Sequence, residues 1–375
     1  MKKFFLLAAV VGVAFTSCVK NEGLATVADQ NEITFEVAKF KASSRAEVEE
    51  VAYPTDIPFG TYAYYENYLT PNQHSLYIDN AQIVYKVADG NGYWAATGET
   101  YFWPTQGHLD FISYSPYNED ATSPAVPKIS DPDVQQTLKY ETFKVDAANP
   151  VDLLYSDKAM QQTANTVNYG FTGVPTLFHH ALAKLNIKVK AFRMDNANES
   201  PEAVTEWTVV VKKITLSGLY DEGSLTMKTT NVHDQGATTV QWKNTMTAVP
   251  YDVWSNTSSQ VTKEWACDQT LTLDARHYGA GTADVAQNYF VLPQAMSAGV
   301  QKITVEYSIT TKAPEGQTGI KDYSATKNLS DFPAVPAWEQ GKNITYTIDI
   351  DPVGDEIHFA PAIVDWENVD GVISI

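Results

Sequence analysis

From residue 30 onward, apolar side chains recur at every second position. That period lines one face of a β-strand and does not fit an amphipathic helix. Leu185, Ile187, Val189 and Ala191 alternate with Asn186, Lys188 and Lys190, and Ile303, Val305, Tyr307 and Ile309 alternate with Lys302, Thr304, Glu306 and Ser308. Ile344, Tyr346, Ile348 and Ile350 are spaced by threonines and Asp349, while Ile83, Tyr85 and Val87 share one parity. A dry face opposite a wet one marks a half-buried antiparallel strand. Further strands are expected at 60–65, 109–114, 208–211, 214–216, 238–242, 270–273 and 289–292, separated by Gly, Pro, Asn and Asp clusters. Many short strands with such turns predict an all-β protein built of antiparallel β-sandwiches, not a parallel α/β sheet. The Pro-bearing stretch 118–150 and the polar stretch 195–201 read as surface loops.

At 375 residues and 44% hydrophobic content, the chain is long enough for two domains, with a breakpoint near residue 173 among Gly170, Gly173 and Pro175. Lys and Arg total 26 against 45 Asp and Glu, and the net charge of -19 repels phosphate, which excludes nucleic acid as a partner. Only Cys18 and Cys267 are present, so a disulfide framework or a multi-cysteine metal site is ruled out.

Few residues suggest chemistry. His179 and His180 would point to opposite faces of a strand and could not chelate one ion together. Asp349, Asp351, Asp355 and Glu356 do not make a calcium loop, because Pro352 interrupts them and the glycine is misplaced. Nucleophile elbows, phosphate-cradling loops and dinucleotide fingerprints are missing, so the expectation is no enzyme, no catalytic residue, no metal and no cofactor. Trp94, Tyr101 and Trp103 could stack on sugars if exposed, with core packing as the alternative. Cys267 reads as an inert buried thiol.

Lys2 and Lys3 precede an apolar run from Phe4 to Phe15, shorter than the roughly 20 residues a membrane span needs, so it reads as a signal peptide. Phe15, Thr16, Ser17 and Cys18 follow the lipobox pattern, which makes Cys18 the lipidated N-terminus; a plain secretory signal is the other reading.

Beyond a polar spacer, Ile33, Phe35 and Val37 share one parity, and Ser43, Ser44, Arg45 and Ala46 follow as a small-residue segment open to proteolytic nicking. Arg45 is one of three arginines, with Arg193 and Arg276. At the far end Val369, Gly371, Ile373 and Ile375 alternate with Asn368, Asp370 and Ser374 in part, broken only by Val372. A tail of this pattern is an edge hazard unless something covers it. The two segments suggest an exchange. Cleavage between Arg45 and Ala46 would remove the leading strand, and the tail of another copy would fill the place it held. A permanent edge strand at 33–37 and an ordinary last strand are the alternative.

The motifs taken together resemble the fimbrillin family, the type V pilins of anaerobic Gram-negative bacteria. They comprise the lipobox at Cys18, the Ser44–Arg45–Ala46 junction, "DIPFGTYAYY" from Asp56, "YFWP" from Tyr101, "LDFISYSPY" from Leu109, "DLLYSD" from Asp152, "LFHHALAKLNIKV" from Leu177, "ITLSGLYDEGSL" from Ile214, "YFVLPQ" from Tyr289 and "ITYTIDI" from Ile344. The resemblance implies two transthyretin-like antiparallel β-sandwich domains in tandem. It also implies export as an outer-membrane lipoprotein, removal of the leading strand by an arginine-specific protease, and polymerisation by donor-strand exchange. In that scheme 1–17 is the lipoprotein signal peptide, 18–45 the propeptide with the first strand, 46–172 and 173–352 the two sandwiches, and 353–375 the donor-strand extension. Partners would be other copies or related pilins, the protease, a host or bacterial surface ligand and, before maturation, the outer membrane through the lipid. The place of work would be a cell-surface fimbrium.

Overall fold

A computed structural model describes residues 32–41, 49–70, 73–120, 122–123, 126–130, 137–146, 150–164, 173–191, 206–227, 255–256, 258–273, 281–313, 315–351 and 356–365. Among these residues the secondary structure is strand apart from one 3-10 turn at Leu329–Asp331, and no helix is long and apolar enough to cross a membrane. The all-β expectation holds.

The first half forms a closed ring. β3 (Phe59–Glu66) pairs with β4 (His74–Ala88), which pairs with β5 (Asn91–Ala96), and β5 meets β1 (Thr34–Lys41). β1 lies parallel to β11 (Val174–His180), which pairs with β9 (Leu154–Ser156); β9 meets β6 (His108–Ser115), and β6 returns to β3. The short strand β10 (Ala159–Gln162) adds to β6, and β2 (Glu49–Ala52) adds to β1. Inside the ring lie Phe35, Phe59, Ile83, Trp94, Leu109, Phe111, Val174 and Phe178. Tyr62, Tyr64, Ile112 and Tyr114 face outward from β3 and β6, yet these are buried too, in a second cluster with Tyr140, Phe143, Leu225 and Leu292. That second layer explains why every residue of β6 is buried.

The second half is a two-sheet sandwich. β12 (Ala183–Ala191) sits between β17 (Gly281–Val291) and β22 (Lys342–Asp351), and β23 (Glu356–Asp365) completes the first sheet. β12 and β22 run parallel, so Leu185, Ile187 and Val189 stand level with Ile344, Tyr346 and Ile348. All six are fully buried. The facing sheet has the order β16 (Val261–Leu273), β13 (Glu206–Leu219), β19 (Lys302–Lys312), β20 (Thr318–Asn328). Its inner residues Val209, Val211, Ile214, Leu216, Ile303 and Val305 share one core with the first sheet. A small pair, β18 (Gln294–Ala295) with β21 (Ala337–Trp338), closes one end. There the Trp338 indole N–H donates to the Tyr346 hydroxyl at 3.1 Å, both side chains being buried. Tyr346→Phe leaves that N–H without an acceptor and is expected to cost about 1–3 kcal/mol, read from the urea midpoint.

The stretch 118–150 is not one surface loop. It carries β7 (Lys128–Ser130) and β8 (Thr137–Lys144), and Tyr140 and Phe143 are buried. β8 pairs with β14 (Glu222–Met227) from the second half, and β15 (Ser255–Asn256) extends that sheet. The register slips between Gly223 and Leu225, so Tyr140 and Phe143, three apart, both reach the core. Such a bulge removes the period-two signal. A similar slip between Val211 and Lys213 makes one continuous β13 of the stretches 208–211 and 214–216. Of the other expected elements, 195–201 and 238–242 lie outside the described residues. By hydrogen bonding the chain leaves the ring at Ala181–Leu182, later than residue 173, because β11 belongs to the ring.

Candidate functional site

The leading strand β1 occupies the seam of the ring. Ile33, just ahead of the strand, and Phe35 within it point inward and are buried, and Val37, on the same parity, is half-buried. Phe35 is the centre of the contact: the Phe59 and Phe111 rings meet it edge-on, each 5.7 Å away. Tyr53, Trp94 and Phe178 extend this aromatic wall around Phe59. Edge-to-face pairs of this kind add to the burial of the rings themselves.

The backbone of β1 is bonded along both sides. On one side Phe35 through Lys39 align with Val174 through Phe178. On the other, Thr34 and Phe35 face Ala95 and Trp94 of β5, and Ala38 through Lys41 face Ala52 through Glu49 of β2. Ahead of the strand, the Ile33 N–H donates to the Tyr101 carbonyl at 2.9 Å. β1 is therefore an interior strand, not an edge. Gly173 shows how close the neighbour comes: a methyl group there would lie 2.7 Å from the Thr34 carbonyl oxygen. Only glycine permits that approach.

Taking β1 away leaves two unpaired edges facing each other, β11 across from β5 and β2, with an apolar floor between them. An open edge over apolar side chains is a template for another strand. The segment joining β1 to β2 contains Arg45 and Ala46. Cys18, Arg45, Ala46, Val369, Gly371, Ile373 and Ile375 all lie outside the described residues.

The aromatic residues considered for sugar stacking are placed differently from that use. Trp94 is buried in the ring core, and Tyr101 and Trp103 are half-buried against it, Trp103 meeting Phe111 edge-on at 5.9 Å. His179 and His180 each engage a different aspartate, Asp157 at 2.9 Å and Asp152 at 2.8 Å. Among the described residues no group of three or more His, Cys, Asp or Glu is arranged to hold a metal ion. Asp355 lies outside the described residues; Asp349 lies 3.9 Å from Lys190. Cys267 is half-buried, its thiol directed at the Trp265 carbonyl.

Comparison with known proteins agrees with this architecture. A fimbrial protein from Bacteroides vulgatus superposes with a TM-score of 0.53 at 16% identity, covering 90% of this chain and all of that one, and so shares the fold. A proposed cell adhesion protein from Bacteroides uniformis has 18% identity over 90% of this chain and 98% of its own, at a TM-score of 0.44. None of the curated proteins compared matches the sequence. The sequence model for fimbrillin-like proteins matches residues 44–366, nearly the whole described body of strands, and the chain belongs to that fimbrillin-like family.

Proposed function

We propose that this protein is a structural subunit of a cell-surface fimbrium that serves adhesion, and that β1 is a placeholder strand. In this reading the chain is exported as a lipoprotein through Cys18, cut between Arg45 and Ala46 by an arginine-specific protease, and joined to a neighbour by the tail strand Val369, Gly371, Ile373, Ile375. Family membership and the shared fold of a fimbrial protein support the subunit role. The observation that carries the exchange is the interior position of β1: buried side chains below, hydrogen bonds on both sides, and one short connection to the next strand. The two buried side chains alone are worth about 1.5–3 kcal/mol each, a stabilisation an incoming strand would recover. While β1 stays covalently attached, its effective concentration excludes a competitor. Cutting the connection removes that advantage. Working parts of this kind are strands and need no catalytic side chain or cofactor. The alternative, a monomeric surface lipoprotein that binds glycans through exposed aromatics, is disfavoured by the placement of the three considered for it: Trp94 is a core residue, and Tyr101 and Trp103 are half-buried against that core.

The test is treatment of the purified precursor with an arginine-specific protease. The product should begin at Ala46 and form ladders that survive SDS without boiling, and a variant lacking 369–375 should be cut equally well yet stay monomeric. Monomeric product from the full-length tail, or ladders from the truncated one, would refute the exchange.

A further inference from the structure

On the outer face of β6, Asp110 has only 4% of its side chain exposed, and Lys158, from the connection between β9 and β10, has 10%. Lys158 Nζ lies 3.3 Å from Asp110 Oδ2. Burial pushes the Lys158 ammonium below the usual lysine range, with Asp110 working against it. A desolvated lysine is closer to the neutral amine that acts as a nucleophile.

The other carboxylate oxygen is also addressed. β10 is irregular: its register against β6 slips between Ala159 and Gln162, and Gln161 adopts a left-handed φ of 53°. That turn aims the Gln161 N–H at Asp110 Oδ1, 2.7 Å away. A non-glycine residue in this conformation stores strain, and such strain gathers where a group must be aimed. An ion pair between Lys158 and Asp110 would not require it. Glu66, on the neighbouring strand β3, is close enough for its charge to act on Lys158, and its Oε2 lies 3.0 Å from His108 Nε2. Thus one carboxylate carries an amine at one oxygen and a backbone donor at the other, with a second carboxylate at hand to accept a proton.

We infer that Lys158 and Asp110 condense into an intramolecular amide, an isopeptide bond between β6 and the start of β10. The Lys158 ammonium passes a proton to Glu66, and the free amine attacks Asp110 Cγ. Negative charge gathers on Oδ1, where the Gln161 N–H stabilises it. The Cγ–Oδ2 bond then breaks, and Oδ2 leaves as water with the two protons that Nζ has shed, one of them returned by Glu66. Ammonium plus carboxylate becomes amide plus water, so the balance needs no oxidant or other reagent. The bond would fasten the added strand β10 to the strand through which the ring closes. It does not depend on the fimbrial reading.

Mass spectrometry of the full chain tests this, with the N-terminus fixed by sequencing. The expected mass is that of the sequence less one water. A tryptic digest of the denatured protein should contain a branched peptide joining Asp110 to Lys158, with no cleavage after Lys158. Lys158→Arg and Asp110→Ala should restore the full mass, and Glu66→Gln, which leaves both reacting residues in place, should leave most chains uncondensed. Wild-type protein at full mass, with the two residues recovered in separate linear peptides, would reduce the pair to an ion pair and overturn the inference. Loss of water without the branched peptide would overturn it equally.

Discussion

Phe35→Ala is expected to lower the unfolding free energy by about 3–5 kcal/mol, the range for removing a fully packed aromatic ring from a core. Phe35 is 4% exposed and touches rings contributed by two other staves of the ring, Phe59 on β3 and Phe111 on β6. The vacancy cannot collapse easily. β1 is held by hydrogen bonds to β11 on one flank and to β5 and β2 on the other, so its backbone has no free direction in which to shift. Urea unfolding followed by tryptophan fluorescence measures the loss, because Trp94 sits in the same core. Val87→Ala, at a position 67% exposed on β4, is the control and should stay within about 0.5 kcal/mol. Equal small effects at both positions would mean that β1 contributes little to the ring.

Alkaline pH should unfold the protein in a steep transition between pH 10 and 12. Burial pushes the Tyr114 and Tyr346 phenols up to about 12, and it pushes Tyr53, Tyr62, Tyr64 and Tyr140 up as well. In the unfolded chain these phenols lose their protons near pH 10. Below that pH both states keep the proton and stability is flat. Above it the unfolded chain binds fewer protons than the folded one, so stability falls with rising pH until the folded phenols also ionise. Tyr346 alone, with a shift of about two units, favours unfolding by about 2 kcal/mol at pH 12 relative to pH 10. The others act in the same direction, and a total stability of about 5–15 kcal/mol does not survive the combined pull. Phenolate absorbance and far-UV circular dichroism should therefore change together. Titration of all 21 tyrosines near pH 10 with the fold intact would contradict the burial described above.

Alternation in the sequence read best where a strand has one wet face. β12 and β22 are buried at every second residue, as the spacing of Leu185 to Ala191 and Ile344 to Ile350 implied. It read worst where both faces are dry. β11, the direct neighbour of the leading strand, is almost uniformly buried from Val174 to His180. A strand buried on both faces shows no period of two, and Gly173 and Pro175 at its start suggested a break between domains instead. β8 escaped notice because its bulge spaces Tyr140 and Phe143 three apart. At the candidate site, parity identified Ile33 and Phe35 as facing one way, but parity says which face is dry and nothing about the neighbours. The parallel match of Phe35 with Val174, and the aromatic wall of Phe59, Phe111 and Phe178, are set by tertiary pairing between distant parts of the chain.

The pairing of β1 with β11 also sets an order of events in synthesis. A chain that emerges front end first holds its leading strand ready long before Val174 appears, and until then the hydrogen-bonding groups along one flank of β1 have no partner in the ring. Contacts between segments so far apart in sequence form slowly, because a long loop must close before they are rewarded. Chains truncated just short of residue 174 should therefore keep an unsealed apolar cavity, and a holdase that shields such surfaces should bind them more strongly than chains that include β11.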